Sequence, residues 1–422
     1  MSKATVNNSG INEASLNQSA VSKSDARSAD GNQSSTEGKK QGKLSVHPYI
    51  GGTATNLCRN VLKNGGVAKN RMATFVITLA GTLLTFPIRV LESLLYHKKV
   101  QNAGLAQDPI FIIGHWRSGT THLHNVISQD KRLGYLSTLQ AVFPTCSILL
   151  NKSRFLKGLI ARLIPEKRMM DNVKMGIDYP QEEEFSVSCI TSYSHHCNHF
   201  PRTIKQSFDK YVLFNTTEEE KAEWQHAYMS VIKKASFLAG GKRLLLKNPY
   251  NTARIAVLLK MFPNAKFIHI YRNPYNIYVS ALHDFIKEAE EMALQEFSEQ
   301  EFSELCYELY EKLMNRYWET RDLIPAGNLC EVSFEEFENN PLGEVERIYT
   351  ELGLEKTETA FNEIRQYVDS LKGYKKNKYS YNAALMDKIS EKWGFAIKKM
   401  NYTPPTDIAL DNKADWSCSI DH

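Results

Sequence analysis

Residues 112–127, IIGHWRSGTTHLHNVI, restrict the fold more than any other stretch of this chain. A short apolar run ends at Gly114; after four residues Gly119, Thr120 and Thr121 open an apolar helical pattern. That is the frame of an anion-cradling loop, G-x-x-x-x-G-K-[ST], with Thr120 in place of the lysine. Gly114 and Gly119 let backbone N–H groups approach an oxyanion, and the following helix adds its positive dipole end. Arg117 and Ser118 supply a charged fork and a hydroxyl within the loop.

Such a loop needs a sheet behind it, and the rest of the pattern provides one. Short apolar strands are expected at 109–114, 243–247, 265–271 and 328–333. Helical patterns start at 119 and 274 and cover 218–238, 252–262, 302–322, 344–352 and 358–371. This alternation predicts an α/β chain, a P-loop-like three-layer sandwich whose central parallel sheet is flanked by helices. Ligands of such sheets gather at the carboxyl ends of the strands. The loop, Lys247 and Arg272 all fall there.

The chain divides into a polar tail, 1–45, expected to be disordered; a helical segment, 46–105; the main domain, 106–395; and a C-terminal tail, 396–422. Residues 72–88, MATFVITLAGTLLTFPI, carry no charge, but they are short for a membrane span, are diluted by threonines and end at Pro87 and Arg89. Beyond Pro87, Val90, Leu91, Leu94 and Leu95 lie opposite Arg89, Glu92 and Lys98. A helix hairpin is expected, packed on the domain or lying on a membrane surface, with peripheral association through 72–98.

Lys plus Arg (52) nearly balance Asp plus Glu (47) for a net charge of +5, so nothing advertises nucleic acid and any bound anion should be small. The seven cysteines are scattered without a C-x-x-C pair, which indicates neither a zinc site nor a disulfide framework and suits a reducing compartment. No apolar signal region opens the sequence, so a cytoplasmic location is expected.

A nucleotide kinase or hydrolase needs the missing lysine for its terminal phosphates and a held Mg²⁺. Here the positive charge stands three residues earlier, at Arg117, and no aspartate strand for a metal is evident. The ligand should be one tetrahedral anion of lower charge, handled without metal, as in an activated sulfate. A kinase, a hydrolase or a silent nucleotide-binding module is the alternative. A second stretch, KFIHIYRNPYNIYVSALHDF at 266–285, ends a strand at Arg272 and places Ser280 two turns into a helix, so both can approach one anion.

GHWRSGTTHL and YRNPYNIYVS resemble the two donor-binding motifs of sulfotransferases that use 3′-phosphoadenosine 5′-phosphosulfate (PAPS), most closely the broad R-S-G-T-T-loop group of bacteria and microbial eukaryotes. DYPQEEEF (178–185), LLLKNPYNTARI (244–255), VSFEEFENNPLGEVERIY (332–349) and GYKKNKY (373–379) extend the resemblance over about 108–393. It implies a metal-free sulfotransferase domain that releases adenosine 3′,5′-bisphosphate (PAP). Arg117, Ser118, Gly119, Thr120 and Thr121 would bind the 5′-phosphosulfate, and Arg272 and Ser280 the 3′-phosphate. A basic segment near the chain end closes on the 3′-phosphate in related enzymes; Lys372, Lys375, Lys376 and Lys378 are the counterparts here.

Lys247 resembles the family lysine that neutralises the transferring group, with Arg117 sharing the task. The histidine that cytosolic members carry two residues later is Pro249 here. Other members use a glutamate as general base, for which Glu182, Glu183 and Glu184 are the supply. Glu183 is expected to lead, projecting from the first turn of a helix capped at Asp178. The tyrosyl-protein branch carries its glutamate soon after the loop, but the comparable LSTLQ (136–140) has no acid. Histidines are the rival bases: His115, His122 and His124 near the loop, and His195, His196 and His199 beyond it. His195 and His196 are read as acceptor-pocket residues. The acceptor is a hydroxyl of a small molecule, a lipid or sterol alcohol, or a sugar. The aromatic helix pattern at 306–318 would line its pocket or fill the core.

Overall fold

The computed structural model describes residues 47–168, 173–195, 199–372, 378–405, 409–410 and 416–419. The expected tail at 1–45, Lys375, Lys376 and His196 lie outside these residues.

Five parallel strands form the central sheet: β1 (Ile110–Ile113), β2 (Leu133–Gly134), β3 (Arg243–Lys247), β4 (Lys266–Tyr271) and β5 (Leu329–Ser333), in the order β2-β3-β1-β4-β5. All four residues of β1 are buried because helices cover both faces, which explains an unbroken apolar run rather than an alternating one. Side chains still alternate. Phe111 and Ile113 pack with Leu244, Leu246 and Phe267 against the long helices Glu218–Leu238 and Glu299–Thr320. Ile110 and Ile112 pack with Leu245, Ile268 and Val332 against Thr120–Ile127 and Pro341–Glu351. With β3 on one side of β1 and β4 on the other, the chain direction around the sheet reverses at β1, the position where such folds open a crevice for ligand.

Helix Glu299–Thr320 belongs to the core: Tyr310 stacks on Trp393 at 3.9 Å and Tyr307 on Tyr278 at 4.4 Å. Trp393 sits in helix Ala383–Lys399, which therefore runs past the expected boundary at 395 while anchored in the main core. A second, three-stranded sheet joins Lys378–Tyr381 to Ala409–Leu410 and Trp416–Ser419.

The N-terminal segment contains α1 (Ala54–Lys63), α2 (Met72–Leu84) and α3 (Phe86–Gln101). Among the described residues no single helix is long and apolar enough to cross a membrane; Lys69–Leu84 and Phe86–Gln101 reach that length and composition only together, bent by 41°. Their polarity is inverted relative to a helix on a protein core. Thr78, Thr82 and Glu92 point inward and are buried, whereas Val76, Ile77, Leu84, Leu91, Leu94 and Leu95 are exposed. Each buried polar group is satisfied: Thr78 and Thr82 donate to the Thr74 and Leu79 carbonyls at 2.7 Å, and Glu92 accepts from Lys234 Nζ at 2.7 Å and from the Leu149 N–H at 2.8 Å. Arg89 locks the bend, donating to the Thr82 carbonyl at 2.8 Å and to Thr85 Oγ1 at 3.1 Å.

Candidate active site

The loop between β1 and helix Thr120–Ile127 is shaped by three left-handed residues. Gly114 has φ 142° and Gly119 φ 97°; a Cβ at Gly114 would stand 2.2 Å from the Ile270 carbonyl oxygen, and one at Gly119 2.3 Å from the Phe334 ring. Arg117 adopts φ 68° without being glycine. Its guanidinium donates through Nε to Ser280 Oγ at 2.9 Å and lies 3.6 Å from Asp284, while Arg272 donates to the Arg117 carbonyl at 3.3 Å and stacks over Phe334 at 4.4 Å. Arg117 thus meets both Arg272 and Ser280, 155 and 163 positions further along the chain.

Ser118 is fastened to the backbone around the loop. Its buried hydroxyl donates to the His115 and Ile270 carbonyls at 2.7 and 3.0 Å, and its N–H also closes on His115. The side chain braces the loop. Gly114 N–H is likewise held by Thr252 Oγ1 at 2.8 Å. The N–H groups at the start of the following helix are the ones with no intrahelical partner.

On the other side of the loop, Lys247 ends β3 directly beside Ile112 of β1. The ammonium group is buried, donates to Thr121 Oγ1 at 3.3 Å and forms a short ion pair with Glu182. Burial pushes its pKa down, and Glu182 opposes that shift. Arg168 reaches the same hydroxyl at 3.3 Å. Nothing in the sequence around Arg168 signals this, since it comes from a connection with no motif.

The three glutamates separate completely. Helix Glu183–Ile190 begins later than expected, with Glu182 rather than Asp178 as the residue before its first turn; Asp178 instead pairs with Lys157 at 2.6 Å. Glu182 faces Lys247. Glu183 is wholly buried, accepting from Tyr228 Oη and Asn251 Nδ2, each at 2.7 Å, and burial raises its pKa to about 7. Glu184 accepts both branches of Arg254, at 2.5 and 3.0 Å, and Asn248 Nδ2 at 2.8 Å. Glu183, expected to project from the turn into the site, instead points inward to Tyr228 and Asn251, and of the three glutamates it is Glu182 that meets Lys247.

The histidines are also accounted for. His195 bonds to Ser207 Oγ at 2.9 Å and packs edge-on against Tyr250 at 4.7 Å, enclosed in the core rather than in a pocket. His115 and His124 are buried, and burial lowers both to about 3, so each is neutral.

A family model described as the sulfotransferase family matches residues 109–358, more than half of the sequence and all five strands of the central sheet. The chain belongs to the sulfotransferase family. Among curated relatives, the ω-hydroxy-β-dihydromenaquinone-9 sulfotransferase Stf3 of Mycobacterium bovis and that of Mycobacterium tuberculosis are each 29% identical over 313 residues, covering 74% of this chain and 79% of theirs. Among solved structures, sulfotransferase STF1 of Mycobacterium tuberculosis superposes with a TM-score of 0.60 at 16% identity, covering 81% of this chain and 91% of that one. Sulfotransferase STF9 of Mycobacterium avium gives 0.55 at 18% identity, covering 76% and 82%. These two likenesses concern the fold. Within the sulfotransferase, the loop 114–121, Lys247, Arg272 and Ser280 form one continuous cationic rim at the carboxyl ends of β1, β3 and β4.

Proposed function

We propose that this enzyme moves the sulfuryl group of PAPS to the hydroxyl of a small-molecule or lipid alcohol, at a site reached while the α2–α3 hairpin lies on a membrane surface. The observation that carries the reading is Lys247, buried between Thr121 of the loop and Glu182. A cation there is placed to stabilise charge as it builds on the leaving oxygen, and a carboxylate beside it to take the acceptor's proton.

The donor fits the residues present. The cradle around Gly114 and Gly119 leaves no room for a side chain, as close backbone approach to an anion requires. Arg117, Ser280 and Arg272 suit a second phosphate, and Thr120 and Thr121 open the helix whose N–H groups face the first. When bound, the donor supplies the activated sulfate. Glu182 accepts the hydroxyl proton, Lys247 balances the charge on the departing phosphate, and Glu183 and Glu184 hold the helix that Glu182 precedes. For the acceptor, the relative named for a hydroxylated menaquinone and the exposed apolar hairpin both favour a lipid alcohol.

The test uses PAP, Mg²⁺-ATP and Glu182→Gln. PAP should raise the melting temperature of wild type and variant equally, Mg²⁺-ATP should not, and transfer of ³⁵S from labelled donor should fall by about 10²–10⁴ in the variant. Absence of a PAP shift, or full turnover by Glu182→Gln, overturns the reading.

A further inference from the structure

A cavity of about 810 Å³ lies between the hairpin and helix Glu218–Leu238, where apolar side chains including Leu83, Phe86, Val90, Val100, Leu136 and Val231 line it together with polar ones such as Thr53, Ser93 and Ser230. That volume is within the range of sites that enclose one ligand molecule. Its mouth and its inner end lie in different surroundings. At the mouth, Leu83 (57% exposed), Phe86 (56%) and Val90 (41%) line the cavity and also belong to the outer apolar face. The cavity thus opens on the surface whose polarity is inverted. At the inner end stand Gln140 and Ser186, joined by a hydrogen bond of 3.0 Å from the serine hydroxyl to the Gln140 carbonyl. Ser186 lies in the first turn of the helix that Glu182 precedes, so one short stretch of chain joins the cavity wall to the carboxylate beside Lys247.

We propose that this cavity binds the hydrocarbon portion of a membrane lipid alcohol, which enters from the bilayer between α2, α3 and helix Glu218–Leu238 and presents its hydroxyl toward Glu182. The position assigned to the hydroxyl rests on the sulfotransferase reading; the tail site rests on the cavity alone.

Charge supports the bilayer as the source. Residues 54–101 contain Arg59, Lys63, Lys69, Arg71, Arg89, Lys98 and Lys99 against a single acid, Glu92. Residues 147–162 contain Lys152, Arg154, Lys157 and Arg162 and no acid. The second stretch includes helix Arg154–Ala161, whose Phe155 and Leu159 are 80% and 51% exposed. In a chain whose charges nearly cancel, a local excess of cations around exposed aliphatic and aromatic side chains is the composition that adsorbs to anionic lipid. Three charged groups stand in the cavity wall: Glu92 and Lys234 neutralise each other at 2.7 Å, Lys234 also donates to the Pro144 carbonyl at 2.6 Å, and Arg89 is taken up by the Gly52 and Thr82 carbonyls at 2.5 and 2.8 Å.

Pyrenyl-dodecanol titrated into the full chain, followed by pyrene emission, tests the site without an identified acceptor. Wild type should bind one probe saturably. Val231→Trp, which fills the inner wall, and Val90→Trp, which narrows the mouth at an exposed position, should each weaken binding at least tenfold while the PAP thermal shift persists. If Val231→Trp does not fold, Val90→Trp decides alone. Lack of saturable binding by wild type, or wild-type affinity in the folded variants, overturns the proposal. Probe binding without a PAP shift would remove the sulfotransferase reading and leave the tail site standing; a PAP shift without probe binding would do the reverse.

Discussion

Replacing Glu183 by glutamine separates a buried brace from a catalytic base. Its carboxyl is wholly buried, and burial raises its pKa from 4.5 to about 7. Between those values the folded chain holds a proton that the unfolded chain has released, so stability falls as pH rises. The advantage is fully present below pH 4.5 and gone above about 7. At about 1.4 kcal/mol per pH unit, the wild type loses at most about 3 kcal/mol from this group on going from acid to pH 8. Glutamine keeps an oxygen for Tyr228 and Asn251 and cannot ionise. Urea unfolding of both proteins from pH 5 to 8.5 should show Glu183→Gln gaining on wild type across the neutral range, toward that 3 kcal/mol by pH 8. His47, His115 and His124, which burial lowers to about 4, 3 and 3, titrate in the opposite sense but cancel in the difference. A difference independent of pH would show that Glu183 is already ionised in the fold. Loss of ³⁵S transfer in the folded variant, with the PAP shift intact, would restore Glu183 as the base.

Glu184→Gln leaves the buried Arg254 charge uncompensated and should cost about 3–5 kcal/mol in urea unfolding, whatever its effect on turnover; a change below 1 kcal/mol would refute the ion pair. Gly119→Ala forces a side chain into φ 97° at about 1–2 kcal/mol and against Phe334, so its melting temperature should drop and the PAP shift vanish; an unchanged PAP shift would mean that the loop does not hold the anion. Leu94→Asp, at a position 79% exposed and outside the cavity lining, should lose about tenfold or more in flotation with phosphatidylcholine–phosphatidylglycerol vesicles, since burying a leucine is worth about 1.5–3 kcal/mol; equal flotation would refute membrane contact through this face.

What the sequence could reveal follows from which constraints are local. The glycine loop is readable because its conformation demands glycine at Gly114 and Gly119 whatever surrounds it. The strand 243–247 and the helix 218–238 are readable because burial on both faces, or a capping threonine at Thr217 before three glutamates, leaves an imprint on the chain itself. The choice among Glu182, Glu183 and Glu184 depends on where a helix starts, four residues later than a cap at Asp178 would put it, and the three side chains meet partners more than 40 positions away, Lys247, Tyr228 and Arg254. Hairpin polarity is hidden for a related reason. A helical pattern reveals that two faces differ, but which one meets the protein depends on whether Glu92 finds Lys234.

The eight-residue helix Glu183–Ile190 unites these features. Glu182, just before it, faces the cationic rim, Glu183 and Glu184 fasten its first turn to Tyr228, Asn251 and Arg254, and Ser186 and Ile190 line the cavity. On the proposed reading this short element stands between the anion site and the hydrocarbon site, and the group proposed to touch both reactants immediately precedes it. Its position has to be rigid, because a carboxylate displaced by an ångström no longer reaches the hydroxyl proton. Two buried carboxylates fastened to four separate partners, Tyr228, Asn251, Arg254 and Asn248, provide that rigidity at a cost in folding stability, which acidic residues behind a group proposed to react would incur and a purely structural helix would avoid.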